Sequence, residues 1–209
     1  FLSDYVRING VGGIANYTGV EQVHQGVEFD AKWKISPLVD LEGMLTLGNY
    51  EYGSDVTDSN VTNNSGQSIG SATLYLDGEK VGTTAHKTAR LNLTVNPSDK
   101  FKFNLSLFHA DDIFGTVNTE DFQDPEDTTM QLPAYELFDF GSSYTLSIGG
   151  KDVYLRLNIN NIFDEEYYYM SRNNVFASPG EPTYKGIPLN AKVFPGWGRT
   201  YNLGLTYRF

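Results

Sequence analysis

Seven carboxylates fall between positions 111 and 127 with no Lys or Arg among them: Asp111, Asp112, Glu120, Asp121, Asp124, Glu126 and Asp127. Clustered hard oxygen donors are what Ca²⁺ takes, so Asp111, Asp112, Glu120, Asp121 and Asp124 form a candidate structural calcium site. Their spacing matches no EF-hand loop, and a solvated acidic loop is the simpler reading. A second cluster stands in 172–197. Aromatic faces beside one or two cations suit a chelated metal or an organic anion. Arg172, Asn174, Phe176, Tyr184, Lys185 and Trp197 are the candidate ligand contacts there. The same side chains could instead fold the loop upon itself.

Catalysis finds little support. His24, His86 and His109 show no His-x-x-x-His spacing, the arrangement that presents two imidazoles to one metal on a helix face. No serine nucleophile elbow, P-loop or dinucleotide glycine motif occurs. The chain has no Cys, which excludes thiolate chemistry, disulfides and Cys-ligated zinc. No catalytic residue and no required cofactor is assigned, and binding is expected rather than bond-making. Net charge is −11, so nucleic acid, which calls for a basic stripe, is not a partner.

The elements that must position these residues repeat every two positions. Val23, Val27, Phe29, Ala31, Trp33 and Ile35 alternate with His24, Gly26, Glu28, Asp30, Lys32 and Lys34. That is strand periodicity. The pattern recurs at 41–47, 89–95, 101–107, 138–148, 153–159 and 201–209, and a shorter piece, Tyr5–Ile8, precedes them all. Eight strands and no helix are expected. Short connections with turn chemistry (36–39, 97–99, 149–152) alternate with long polar ones (10–21, 54–84, 112–134, 172–197).

An alternating antiparallel sheet can turn its apolar face inward, as a soluble sandwich, or outward to lipid, as a membrane barrel. Strands of about ten residues match a tilted bilayer crossing. So does the asymmetry of short turns and long loops. Aromatics near strand ends (Trp33, Tyr50, Tyr52, Phe101, Phe114, Tyr135, Tyr167, Tyr168, Tyr169, Tyr207 and Phe209) suggest two interfacial girdles. The expected fold class is all-β: an antiparallel transmembrane β-barrel with short periplasmic turns and long extracellular loops. Two alternatives remain open. One is a complete eight-stranded outer-membrane barrel, recognised by Tyr5–Asn9 pairing with Tyr201–Phe209. The other is a soluble glycan-binding β-sandwich, with Phe29, Leu93, Leu105, Leu157 and Leu205 in a shared core.

Three segments carry a family resemblance. Asn158-Ile159-Asn160-Asn161-Ile162-Phe163-Asp164-Glu165-Glu166-Tyr167 resembles the N-(L/I)-F-D-x-x-Y segment of TonB-dependent outer-membrane receptors. The run Pro195–Phe209 resembles their last strand, and Gln25-Gly26-Val27-Glu28-Phe29 resembles an earlier one. The segments occur in family order, and the resemblance spans roughly 20–209. It implies a 22-stranded barrel closed by an N-terminal plug. The chain, 1–209, then supplies the last eight strands or so, without the plug or the TonB box. It also implies import of a scarce nutrient, most often a ferric siderophore or similar metal complex, energised by the TonB complex through the plug. The implied partners are the remaining strands and plug (possibly a separate chain), the TonB complex, a small nutrient ligand and outer-membrane lipid. The implied place is the outer membrane of a Gram-negative bacterium, C-terminus in the periplasm. In outer-membrane barrels generally, an ending like Tyr201, Leu203, Leu205, Tyr207 and Phe209 is read by the insertion machinery.

Overall fold

The computed structural model describes residues 2–118 and 121–207. Chain order gives β1 (Leu2–Ile8), β2 (Val11–Tyr17), β3 (Gln22–Ser36), β4 (Val39–Tyr52), β5 (Val56–Thr62), β6 (Ser68–Leu74), β7 (Ala85–Ser98) and β8 (Phe101–Phe114). There follow β9 (Gln131–Leu132), β10 (Tyr135–Ile148), β11 (Lys151–Asn160), β12 (Tyr168–Ser171), β13 (Thr183–Tyr184), β14 (Ile187–Pro188), β15 (Val193–Pro195) and β16 (Thr200–Tyr207). The main sheet runs β16-β11-β10-β8-β7-β4-β3, with β9 added beside β8. All its pairings are antiparallel. At about 3.3 Å per residue, a 14-residue strand such as β4 is about 46 Å long; tilted by about 45° it spans about 33 Å, enough for a hydrocarbon core of about 30 Å.

Register shows which solvent each face meets. Across the sheet, Glu28 opposes Thr46, Met44 opposes Arg90, Asn92 opposes Ser106, Asn104 opposes Gly141, and Asn158 opposes Asn202. These share one concave, polar face. The other face carries Phe29, Leu45, Leu91, Leu105, Leu155 and Leu205. Its aliphatic and aromatic groups stand open: Phe29 is 61% exposed, Leu205 68% and Leu203 79%. A sandwich would bury them, because each large apolar side chain left in water forfeits about 1.5–3 kcal/mol. That alternative is overturned. An acyl layer is the environment in which this face is stable.

The buried cores lie elsewhere. One gathers Val6, Ala15, Tyr17, Tyr52, Val56, Val61, Leu74, Leu76, Val81, Val117 and Phe122. The second gathers Ala110, Ile113, Met130, Leu132 and Ile187. Both sit at the end of the sheet that carries the long connections, so these loops are folded bodies.

Two expectations about strands are corrected. Tyr5–Ile8 is not a wall strand. It belongs to β1, which pairs with β2 in a separate four-stranded sheet ordered β1-β2-β5-β6. The reason is local: Asn9 and Gly10 both take positive φ, 49° and 82°, the requirement of a two-residue hairpin turn. The segments expected as plain loops, 10–21 and 54–84, therefore contain β2, β5 and β6. Among the described residues β1 does not pair with β16, so β3 and β16 are the two edges of the wall. The complete eight-stranded barrel fails with that pairing. The short turns behave as expected, with Gly149 and Gly150 at φ 58° and 75° closing β10–β11.

Candidate functional site

The concave face forms an open trough of about 660 Å³. Asp30, Lys32, Glu42, Arg90, Asn104 and Asp139 line it, with Asn92, Ser106, Asn158 and Asn160 between them. Lys32 pairs with Glu42 across β3–β4. Gly141 makes room for Asn104, since a Cβ there would lie 2.4 Å from the amide oxygen. Neutral amides and balanced charge suit a wetted interior that a polar body can fill.

Above the trough, toward the long loops, the same face turns aromatic. His24 stacks on Tyr50 at 4.8 Å, Tyr50 meets His86 at 4.6 Å, and His86 meets Phe114 at 5.0 Å. Farther round, the Arg90 guanidinium stands 5.3 Å over the Phe108 ring. Phe108 adjoins Tyr135, which packs on Tyr167 at 4.3 Å. Tyr50, Phe114, Tyr135 and Tyr167 therefore form an inner aromatic belt, not the outer girdle expected for them; Tyr52 and Tyr168 pack against the loop cores instead. Parity could have found this. Tyr50 shares its face with Glu42, whereas Trp33 shares its face with Phe29. The outward girdle does exist at the short-turn end. There Trp33, Phe101 and Tyr144 have outward parity, Phe101 and Tyr144 being in edge contact at 6.3 Å.

The candidate ligand residues fall into two groups. Asn174 is a structural hub. Its Oδ1 accepts from Met130 N at 2.8 Å, its Nδ2 donates to Thr116 O at 3.0 Å, and its own N donates to Asp121 Oδ2 at 2.9 Å. Gly115 passes so close that a Cβ would meet Asn174 Oδ1 at 2.6 Å, and Gly82 in turn lies against Gly115 O. Two long connections, 112–134 and 172–197, are thus stitched at one amide, and a third, 54–84, packs against them at Gly82. Arg172 donates its backbone N to Lys192 O. Lys185 Nζ donates to Glu166 O at 2.5 Å and pairs with Glu165. Phe176 and Trp197 are exposed, at 58% and 84%. Tyr201, Leu203, Leu205 and Tyr207 form the outward face of β16, and Phe209 lies outside the described residues.

The acidic segment is spent locally. Asp112 pairs with Lys87 at 2.6 Å and accepts from Gln131. Asp111 caps the Asp112 backbone N, and Asp124 Oδ1 accepts from Glu126 N. Asp121 holds Asn118 and Asn174. Among the described residues no group of three or more His, Asp or Glu is placed to hold a metal ion. Glu120 lies outside the described residues.

One carboxylate in the last long loop gathers two phenols. Tyr168 donates to Glu166 Oε1 at 2.8 Å and Tyr184 to Oε2 at 2.7 Å. The Tyr184 and Tyr168 hydroxyls hold the Glu166 carboxyl below its usual range. The same contact, with some burial, pushes the Tyr168 phenol up to about 12. The sign follows from linkage. A lowered carboxyl contributes above its unfolded value, about 4.3, and loses that contribution as pH falls through its folded value; a raised phenol contributes below about 10 and loses it on the way up to its folded value. The clasp is therefore whole between these limits. Glu166→Gln should bring two tyrosine titrations, those of Tyr168 and Tyr184, down toward the ordinary phenol range in a difference absorbance titration of the folded receptor. An unchanged titration curve would remove the clasp.

A one-sheet wall with an apolar outer face, a polar and aromatic inner face and folded loops at one end is part of a transmembrane β-barrel. The chain belongs to the TonB-dependent receptor family: the family description "TonB dependent receptor-like, beta-barrel" matches residues 2–162. Barrels of this family are outer-membrane transport receptors of Gram-negative bacteria, not enzymes. The chain is 37% identical over 84 residues to the metal-pseudopaline receptor CntO of Pseudomonas aeruginosa, in strains UCBPP-PA14 and PAO1, over 39% of this chain and 11% of the relative. The fold matches the siderophore receptor PiuA of Acinetobacter baumannii with a TM-score of 0.58 at 16% identity, covering 96% of this chain and 23% of that one. The chain thus spans about a ninth of the curated relatives it matches.

Proposed function

We propose that this chain is the C-terminal portion of a receptor that binds a metal chelate, most simply a ferric siderophore or a similar complex, and imports it with energy from the TonB system. The carrying observation is the inner aromatic belt. Tyr50, Phe108, Tyr135 and Tyr167, with Arg90 among them, stand at the mouth of a polar trough beneath stitched loops. Aromatic and guanidinium faces bind flat, delocalised chelating groups well. The metal-complex receptor among the relatives supports the same ligand class.

The trough would seat the plug, with Asp30, Arg90 and Asp139 as its charged contacts, and the TonB complex would act through that plug. The two open edges, β3 and β16, would be closed by the remaining strands of a 22-stranded barrel, since unpaired backbone is not tolerated in lipid. The short turns and the end of β16 would face the periplasm, and the long loops the exterior, where Arg172, Phe176, Tyr184, Lys185 and Trp197 would meet ligand. The test is uptake of radiolabelled ⁵⁵Fe and ⁶⁵Zn chelates by cells carrying the full-length receptor. Uptake should require the receptor and stop when an uncoupler dissipates the proton-motive force. Uptake of no chelate, or uptake indifferent to the uncoupler, overturns the reading.

A further inference from the structure

Charge is segregated along the wall. The segments on the long-loop side, 1–21, 53–84, 111–134 and 161–199, hold 17 of the 26 acidic residues and 6 of the 15 Lys and Arg, so they carry −11, the whole net charge of the chain. The remaining segments hold nine of each and are neutral. Cations of the long-loop side are answered by the chain's own acids. Lys185 pairs with Glu165 at 3.4 Å, Arg199 with Asp164 at 3.6 Å, and Lys80 with Glu51. Asp58, Asp77, Glu126 and Glu181 are exposed, and none of them forms an ion pair among the described residues. A backbone N–H on a carboxylate, such as Ser178 N on Glu181 Oε2, does not cancel its charge. The inner belt adds the same sign, because an aromatic ring is negative on its face. Tyr50, Tyr135 and Tyr167 supply such faces, and the Arg90 guanidinium is already laid over Phe108 at 5.3 Å.

Resting on the chelate reading above, we propose that the metal chelate taken by this receptor is neutral or cationic, and that the long-loop side rejects polyanionic chelates. Screening at physiological salt acts over about 8 Å, so a ligand passing these loops feels chiefly the charges they carry. A surface potential of several kT enriches ligands of opposite sign and depletes those of like sign. The chelating chemistry divides accordingly. Three hydroxamate monoanions cancel the charge of Fe³⁺, whereas three catecholate dianions leave a trianion. A trianion is repelled by the acidic approach and gains nothing from the ring faces beneath it. A chelate with a pendant ammonium is drawn by both, and a neutral one binds through its stacked, delocalised chelating groups alone.

The experiment measures equilibrium binding of ⁵⁵Fe chelates to the full-length receptor at low and high salt. The probes are one ferric trihydroxamate scaffold bearing a pendant ammonium, acetamide or carboxylate, and a trianionic ferric tris-catecholate. At low salt the ammonium form should bind about tenfold more tightly than the carboxylate form, with the acetamide form between them and the tris-catecholate weakest. At about 500 mM salt the spread should shrink to about twofold. Removing four charges with Asp58→Asn, Asp77→Asn, Glu126→Gln and Glu181→Gln together should narrow the low-salt spread severalfold, while unboiled samples keep the gel mobility of a folded barrel. A carboxylate form or tris-catecholate that binds as tightly as the ammonium form would overturn the inference. So would a spread that neither salt nor the four substitutions reduce. Failure of every probe to bind would instead remove the chelate reading on which the inference stands. If the fourfold variant fails to fold, the wild-type salt dependence decides.

Discussion

Replacing Asn161 with alanine will cost the wall more stability than any other single change at its last hairpin. Asn161 is only 4% exposed and sits at φ 52°. Its Oδ1 accepts from Glu165 N at 2.8 Å, and its Nδ2 donates to Glu165 O at 2.8 Å and to Trp197 O at 3.2 Å. Its own N donates to Asp139 Oδ1 on the neighbouring strand at 2.8 Å. Alanine would orphan two carbonyls and an N–H, each worth about 1–3 kcal/mol when buried, and would pay the left-handed penalty of about 1–2 kcal/mol. Because the bonds share one side chain they do not add fully, and a loss of about 3–5 kcal/mol is expected. Asp164 completes the latch, accepting from Arg199 N at 2.7 Å beside the Arg199 guanidinium. Gly196 admits the Tyr167 ring, where a Cβ would lie 1.9 Å from its carbon Cζ. The measurement is the urea midpoint of the full-length receptor by gel mobility. Asn161→Gly should recover only the part due to backbone conformation. A midpoint unmoved by Asn161→Ala would show that the latch contributes nothing.

Breaking the loop hub should hit function harder than stability. Asn174→Ala removes the acceptor for Met130 N and the donor to Thr116 O, leaving the wall untouched. Local opening of the loops should become easier by about 2–4 kcal/mol, taking each lost bond at about 1–2 kcal/mol. Hydrogen exchange at 115–118 and 129–131 should rise by about one and a half to three orders of magnitude. On the proposed function, affinity for a metal chelate should fall at least tenfold, because loops that must be reordered on binding subtract that cost. Asn174→Asp keeps an acceptor for Met130 N but cannot donate to Thr116 O, and so should fall between. Protection factors equal to wild type would mean that 112–134 and 172–197 are held together by something else.

The wall was legible because a period of two is a global property. A strand with Leu91, Leu93 and Val95 on one side and Arg90, Asn92 and Thr94 on the other admits a single register against its neighbours. The direction of the apolar face was legible only through strand length and loop asymmetry, which the exposure of Phe29 and Leu205 then bears out. The loops were not legible. Their strands are short, and β12 to β15 run for two to four residues, too few for any period to register. The exception is Asn9-Gly10, a dipeptide whose turn chemistry is readable in the sequence. The inner belt was missed for a different reason. Tyr50 and Tyr135 stand near strand ends, where position suggests a girdle, while their parity assigns them inward. The roles of Asn161 and Asn174 rest on partners 36 and 44 residues away in the chain, a separation that spacing does not expose.

The placement of both packed cores among the connections has an evolutionary consequence. In most proteins a change of specificity must be reconciled with the interior that keeps the chain folded. Here the bilayer stabilises the crossing segments, and the recognition end carries its own interior. Residues such as Val61, Leu74 and Phe122 can therefore drift together, reshaping what is captured, while the hydrogen-bonded scaffold below accumulates none of the burden. Divergence among such proteins should be concentrated above the membrane, and loop bodies should be exchangeable between scaffolds as units.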